Sequence, residues 1–357
     1  MTATTRATGA AQYEAWKRRE MPSVEEVRPG LWSIPLPMTT SPLRYVIVYA
    51  LALPDGIALI DAGWSSDEAW DALTSGIRST GHDISEVRFI AITHLHPDHF
   101  GMAPRIRELS GAAIAMHSVD AGLLVHRDPA EQAEWLRSSV DQLHRLGAPD
   151  AVVDAPPVSV IRFPEGAPVD IVLADGDLLN LPGWDLRAVW TPGHTAGHLC
   201  FAEHSRGIAF TGDHVLPRIS PNISTNPGQT PNPLRDYLHS LRATAEMPVG
   251  EALPAHEYRF RGLGDRAREL IDHHEARLAE IAEAVAEVPE STAWEINTRI
   301  SWSRPFEDMS DKLRRLALRE THSHLLVLAD RGSIVATDET PQRWFPSAQH
   351  AVSAALS

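Results

Sequence analysis

The segment Thr93-His94-Leu95-His96-Pro97-Asp98-His99 restricts this chain more than any other. Three imidazoles and a carboxylate fall within six residues, directly after the apolar run Val87–Thr93, which reads as a strand. A strand that ends in a loop can turn several side chains towards one point. Neutral imidazole with carboxylate suits zinc, iron or manganese. His94 and His96 share a direction on an extended segment, and Asp98 and His99 lie beyond the bend set by Pro97. The spacing suggests one metal ion for the first pair and another for the second, so each pair needs partners from distant strand ends.

Three later segments supply such ends. Thr191-Pro192-Gly193-His194-Thr195, Thr211-Gly212-Asp213-His214 and Leu253-Pro254-Ala255-His256 each follow an apolar run, nominating His194, Asp213 and His256 as further ligands. His198 lies close enough to His194 to orient it or line the pocket. His214 is expected to point away from Asp213. His117, His126, His144, His273, His274, His322 and His324 are expected at the surface or in structural roles.

Around these motifs the chain alternates short strands with helices. Strands are predicted at Leu31–Ile34, Tyr45–Leu53, Ile57–Asp61, Ala113–His117, Val169–Leu173, Leu178–Leu181, Leu186–Trp190, Leu199–Glu203 and Ile208–Thr211, with a Pro54-Asp55-Gly56 turn. Helices are predicted at Ser66–Thr80, 102–110, 233–246 and 262–287, with a helical insertion at about 118–147, a proline-containing stretch at 155–168 and a long loop at 217–233. The pattern gives an α/β fold with two sheets face to face and helices outside. At 291–345, helices Ala293–Ile300 and Asp311–Ala329 precede a two-stranded wing formed by Ser333–Thr337 and Arg343–Phe345. The predicted division is an arm at 1–27, a catalytic domain at 28–275 and a C-terminal unit at 276–357.

The 357 residues carry a formal net charge of −15, which argues against a nucleic-acid surface and favours a small-molecule substrate. Lys17 and Lys312 are the only lysines, and the arginines are scattered among acids. Cys200 is the single cysteine, so no internal disulfide forms, and its apolar surroundings suit a packing role. No apolar leader or membrane-length stretch is visible, so a cytoplasmic protein without membrane contact is expected.

The motif HxHxDH at 94–99, GHT at 193–195, GD at 212–213 and the histidine at 256 together resemble the metallo-β-lactamase superfamily, glyoxalase II-like branch, over roughly residues 28–275. The resemblance implies an αββα sandwich with two divalent metal ions, zinc or else iron or manganese, at one edge. It implies that His94, His96 and His194 hold the first, that Asp98, His99 and His256 hold the second, and that Asp213 bridges them. The tail resembles the winged-helix appendage of some members, for which a packing or homodimer role is expected here.

The chemistry this implies is attack by a metal-bridging hydroxide on a carbonyl, with Asp98 in the catalytic role. A bridging carboxylate such as Asp213 is typical of glyoxalase II-like, lactonase-like and nuclease-like branches and not of true β-lactamases. A thioester, acyl ester or lactone is thus the leading substrate class; RNA cleavage, or β-lactam hydrolysis as a side activity, is the alternative. His256-Glu257-Tyr258 resembles hydroxyacylglutathione hydrolases, in which the tyrosine contributes to substrate binding. Tyr258 and His198 are accordingly candidate substrate contacts, although Arg259-Phe260-Arg261 departs from that pattern and puts glutathione in doubt. Iron-binding redox branches carry an acid at the second histidine, and His96 argues against them.

Overall fold

A computed structural model describes residues 5–39, 41–124, 129–155 and 169–347. It divides into two compact units. The first comprises Met1–His126, Ile161–Pro221 and Ser240–Arg268, and the second Arg127–Val160, Asn222–His239 and Glu269–Ser357.

In the first unit a seven-stranded sheet runs Glu25–Arg28, Leu31–Met38, Arg44–Leu53, Gly56–Ile60, Val87–Ala91, Ala113–His117 and Ile171–Leu173. A six-stranded sheet runs Arg6–Ala7, Phe260–Arg261, Glu251–Pro254, Ile208–Gly212, Leu199–Glu203 and Arg187–Trp190. The alternation of side chains along a strand explains why the first sheet is apolar on both faces. In Arg44–Leu53, Tyr45, Ile47, Tyr49 and Leu51 join Leu199, Phe201, Phe210 and Leu253 of the other sheet in one core cluster. Val46, Val48 and Ala50 face the opposite way, onto Leu73 and Ile77 of helix Asp67–Ser79 and Ile106 of helix Ala103–Ser110. Helix Pro233–Ala245 meets the second sheet's loops, where Ser240 Oγ donates to Pro192 C=O and Thr244 Oγ1 lies 2.8 Å from His214 Nε2. This is the expected layered sandwich.

Several details differ from the sequence reading. The strand expected at Leu31–Ile34 runs on to Met38 through Pro35 and Pro37. Beyond Ser33 it pairs on one side only, so each proline costs no ladder bond on the open side. Leu178–Leu181 is not a strand, because Asn180 has a positive φ of 51° and only Leu178 bridges Arg187. The N-terminal arm is built into the fold. Its strand pairs Arg6 with Arg261 and Ala7 with Phe260, and its helix Ala10–Lys17 buries Gln12 and Ala15. Residues 156–168 of the proline-containing stretch, and His126, lie outside the described residues.

The second unit contains helices Pro129–Arg145, Asp150–Val153, Ala293–Asn297 and Asp311–Asp330, with a three-stranded sheet ordered Ser291–Thr292, Arg343–Pro346, Ile334–Ala336. Ile334–Ala336 pairs antiparallel with Arg343–Pro346, and Ser291–Thr292 adds a third strand. The helical insertion expected at about 118–147 splits, since Ser118–Leu123 belongs to the first unit and Pro129–Arg145 to the second. The physical reason is hydrogen bonding: Arg319 donates to Ser139 Oγ, and Arg145 C=O accepts from Gln342 N–H. No helix among the described residues is long and apolar enough to cross a membrane.

Candidate metal centre

Four strand ends of the first unit bring the nominated residues together. Past Val87–Ala91, Thr93 C=O accepts from Leu199 N–H, tying the loop of one sheet to a strand of the other. His96 sits in extended conformation just before Pro97, which opens the single helical turn Pro97–Phe100 and sets Asp98 and His99 in it. Asp213 follows Gly212, whose φ is +49°; a Cβ there would come within 2.8 Å of His198 Nε2 and 2.9 Å of Thr93, so only glycine fits. His256 follows Glu251–Pro254, where Ala255 N–H donates to Gly212 C=O.

The donor atoms converge in two groups. His96 Nδ1 lies 3.0 Å from His94 Nε2 and 2.9 Å from His194 Nε2. These spacings are near the roughly 3.3 Å edge of a tetrahedron with metal–nitrogen bonds of about 2.0–2.1 Å. Asp98 Oδ2 lies 3.7 Å from His99 Nε2 and 3.4 Å from His256 Nε2. Asp213 reaches both groups, with Oδ1 3.3 Å from His256 Nε2 and 3.7 Å from His99 Nε2, and Oδ2 3.6 Å from His194 Nε2. His94, His96 and His194, and likewise Asp98, His99 and His256, are each close enough to hold an ion, and so are His94, His99 and Asp213, which span the two groups.

The donor set passes a test of fit for such ions. His99 Nε2, His256 Nε2 and Asp213 Oδ1 are buried without a hydrogen-bond partner among the described residues. They face one another as ion pairs at 3.3–3.7 Å without a hydrogen bond, and three such atoms aimed at one place suit a shared cation. The opposite ring nitrogens are occupied. His99 Nδ1–H donates to Asp61 Oδ2 at 2.8 Å, His256 Nδ1–H donates to Tyr45 C=O at 3.0 Å, and His94 Nδ1 lies 3.0 Å from Thr93 Oγ1. Such bonds fix ring orientation and leave the second nitrogen for a cation.

Charge follows the same division. Burial, with neighbouring His99 and His96, holds His94 well below its ordinary pKa, and burial with His194 brings His96 down to about 3. These rings are neutral, as metal ligation requires. Burial opposes charge on His256, but Asp213 and Asp98 outweigh it and raise the ring to about 10. His99 is raised against burial by Asp61, Asp98 and Asp213. Burial disfavours the Asp98 and Asp213 carboxylates too, yet His99 and His256 hold both low. Without metal, protons on two imidazoles balance the carboxylates, and a bound cation would displace them.

The two candidate substrate contacts, His198 and Tyr258, are both buried. His198 is fully buried, accepts from Asp213 N–H at 3.2 Å and has Nδ1 2.8 Å from Thr191 Oγ1. Both ring nitrogens are engaged, which suits an orienting role, here towards the Asp213 loop. Tyr258 is buried edge-on against Tyr13 and Trp16 of the N-terminal helix. Its position is that of a core residue. Cys200 is buried, and burial pushes its thiol up to about 12, which suits packing.

Two functional residues escape the sequence reading. Asp61 accepts from His99 and from both Thr93 N–H and Thr93 Oγ1–H. It ends an apolar strand, so the strand-end reasoning that nominated Asp213 applied to it equally. Asp120 accepts from Leu95 N–H, Thr195 Oγ1–H and Gly197 N–H, and burial raises it to about 6 against those bonds. It sits in the short helix Ser118–Leu123, with no local pattern to mark it.

This chain belongs to the metallo-beta-lactamase superfamily, whose family model matches residues 42–256. Its structure is similar to a metallo-beta-lactamase family protein from Thermus thermophilus, with 28% identity, TM-score 0.74, and coverage of 90% of this chain and 100% of that one. It is also similar to a beta-lactamase domain protein from Burkholderia ambifaria, with 27% identity, TM-score 0.73, and coverage of 91% and 93%. Among curated relatives, the lactamase-like protein aptB of Emericella nidulans is 33% identical over 141 residues, 39% of this chain and 42% of that protein. The atrochrysone carboxyl ACP thioesterase of Aspergillus fumigatus is 23% identical over 64% of this chain and 56% of its own length. The hydroxyacylglutathione hydrolase of Cereibacter sphaeroides is 26% identical over 49% and 53%. The chain spans about half the length of the curated relatives it matches.

Proposed function

We propose that this protein is a metal-dependent hydrolase that holds two divalent cations, zinc by the character of its donors, and cleaves a thioester or a related acyl ester or lactone. The observation that carries the reading is the set of buried atoms His99 Nε2, His256 Nε2 and Asp213 Oδ1, which make no hydrogen bond among the described residues, beside the His94, His96 and His194 triad. His94, His96 and His194 would hold the first cation, Asp98, His99 and His256 the second, and Asp213 both. When bound, the pair supplies water ionised near neutral pH and polarises a substrate carbonyl. Asp98 would orient the attacking water by accepting its hydrogen bond. No side-chain nucleophile is required, and Cys200, buried with its thiol raised to about 12, does not offer one at neutral pH.

The substrate class draws on one relative named a thioesterase, another named a hydroxyacylglutathione hydrolase, and Asp213, a carboxylate within reach of both triads. Elements 291–346 are read as a winged-helix-like appendage with a packing role. The test is metal quantification after zinc reconstitution, then hydrolysis of thioesters, lactones, β-lactams and RNA. The expected result is about two ions per chain and chelator-sensitive turnover of a thioester or lactone. Fewer than about one ion per chain would overturn the metal reading. Turnover confined to β-lactams or RNA would overturn the substrate class.

A further inference from the structure

We infer that Asp120 is a positioning residue that locks together the two loops carrying the first metal triad, and so governs occupancy of that site and not of the second. The inference rests on the two-cation reading above. The Asp120 side chain is fully buried, and its carboxylate joins segments far apart in sequence. Oδ2 accepts from Leu95 N–H at 2.9 Å and from Thr195 Oγ1–H at 2.8 Å, and Oδ1 accepts from Gly197 N–H at 2.7 Å. Leu95 stands between His94 and His96, and Thr195 follows His194. One carboxylate therefore sets the distance between the two strand-end loops whose three imidazoles form the triad.

The surroundings are closed around it. A Cβ on Gly197 would lie 2.5 Å from Asp120 Oδ1 and 2.6 Å from Asp120 N, so the loop approaches as near as a backbone can. No cation faces Asp120 among the described residues, so its role is to accept three hydrogen bonds. The second triad is oriented by different groups: His99 by Asp61 and His256 by Tyr45 C=O. Asparagine at 120 keeps the shape but must turn an amino group towards at least one of the three donors.

The experiment is cobalt titration of the chelator-stripped full-length chain, read by ligand-field absorption and by competition with a chelator. Asp120→Asn is introduced into a His256→Ala background, which keeps the first triad whole, and into a His94→Ala background, which keeps the second whole. In the first background, affinity is expected to fall about 10–100-fold with a shifted cobalt spectrum. In the second, affinity is expected to stay within about threefold, below the losses typical of disturbed outer partners. Equal losses in both, or no loss in the first, would overturn the inference. Wild-type protein that binds no cobalt would overturn the two-cation reading itself, and this inference with it. Should Asp120→Asn fail to fold, Thr195→Val decides. It removes one donor while keeping the side-chain shape, and the same selectivity is expected at about three- to tenfold.

Discussion

Replacing Asp61 by asparagine isolates what an outer hydrogen-bond partner contributes to this centre. Asp61 Oδ2 accepts from His99 Nδ1–H at 2.8 Å and Thr93 Oγ1–H at 3.0 Å, and Oδ1 accepts from Thr93 N–H at 2.8 Å. Asparagine tolerates the positive φ of 62° at this position, so the backbone is not the issue. Its amide has one oxygen. Turned towards His99, it faces its amino group to Thr93 N–H; turned the other way, it faces the amino group to the imidazole. Either way a buried donor loses its acceptor, at about 1–3 kcal/mol. At 1.4 kcal/mol per tenfold, that is about 5- to 150-fold in affinity for the cation that His99 would hold. Chelator competition on zinc-reconstituted protein measures the loss. The apo unfolding midpoint shows whether the fold survives. A folded Asp61→Asn protein with wild-type affinity for both ions would refute the argument that His99 is held for metal through Asp61.

Three further outcomes are expected. Asp213→Asn, which removes the carboxylate within reach of both triads, should cut turnover by several kcal/mol of transition-state stabilisation and lower metal content; unchanged kcat and stoichiometry would remove Asp213 from the centre. Tyr258→Phe deletes a buried hydroxyl that has no partner among the described residues, so kcat and KM should both stay as they are, and a raised KM would restore Tyr258 as a substrate contact. Burial holds His322 and His324 down to about 4, while the unfolded chain takes up protons near 6.5. The unfolded state therefore binds more protons between those values, and stability falls with pH by about 1.4 kcal/mol per unit for each histidine. Urea unfolding in chelator at pH 7 and pH 5 should show that loss, and equal midpoints would contradict it.

The candidate ligands are legible because each lies on a segment that follows an apolar run, where sequence marks both the strand and its stopping point. His94, His96, Asp98, His99, His194, Asp213 and His256 all obey that rule, and so does Asp61, which a search weighted to histidine passes over. Asp120 does not obey it, since its partners Leu95, Thr195 and Gly197 reach it only through the tertiary fold. The same limit hid how the N-terminal arm is anchored. Read alone, residues 1–27 are short, polar and aperiodic; in the fold, Gln12 Oε1 accepts from Arg259 N–H and Thr8 N–H donates to Arg259 C=O, three residues from His256. Periodicity reports which side chains face a core, whereas a hydrogen bond across more than a hundred residues leaves no periodic trace. His198 and Tyr258 show what closeness in sequence leaves open. Each lies four or fewer residues from a ligand, and closeness in sequence suggested a place on the pocket. Both lie just outside strands, in loop segments whose side chains the fold buries. The ligands of a strand-end centre can thus be read from sequence, while the residues that aim them are read only from the fold.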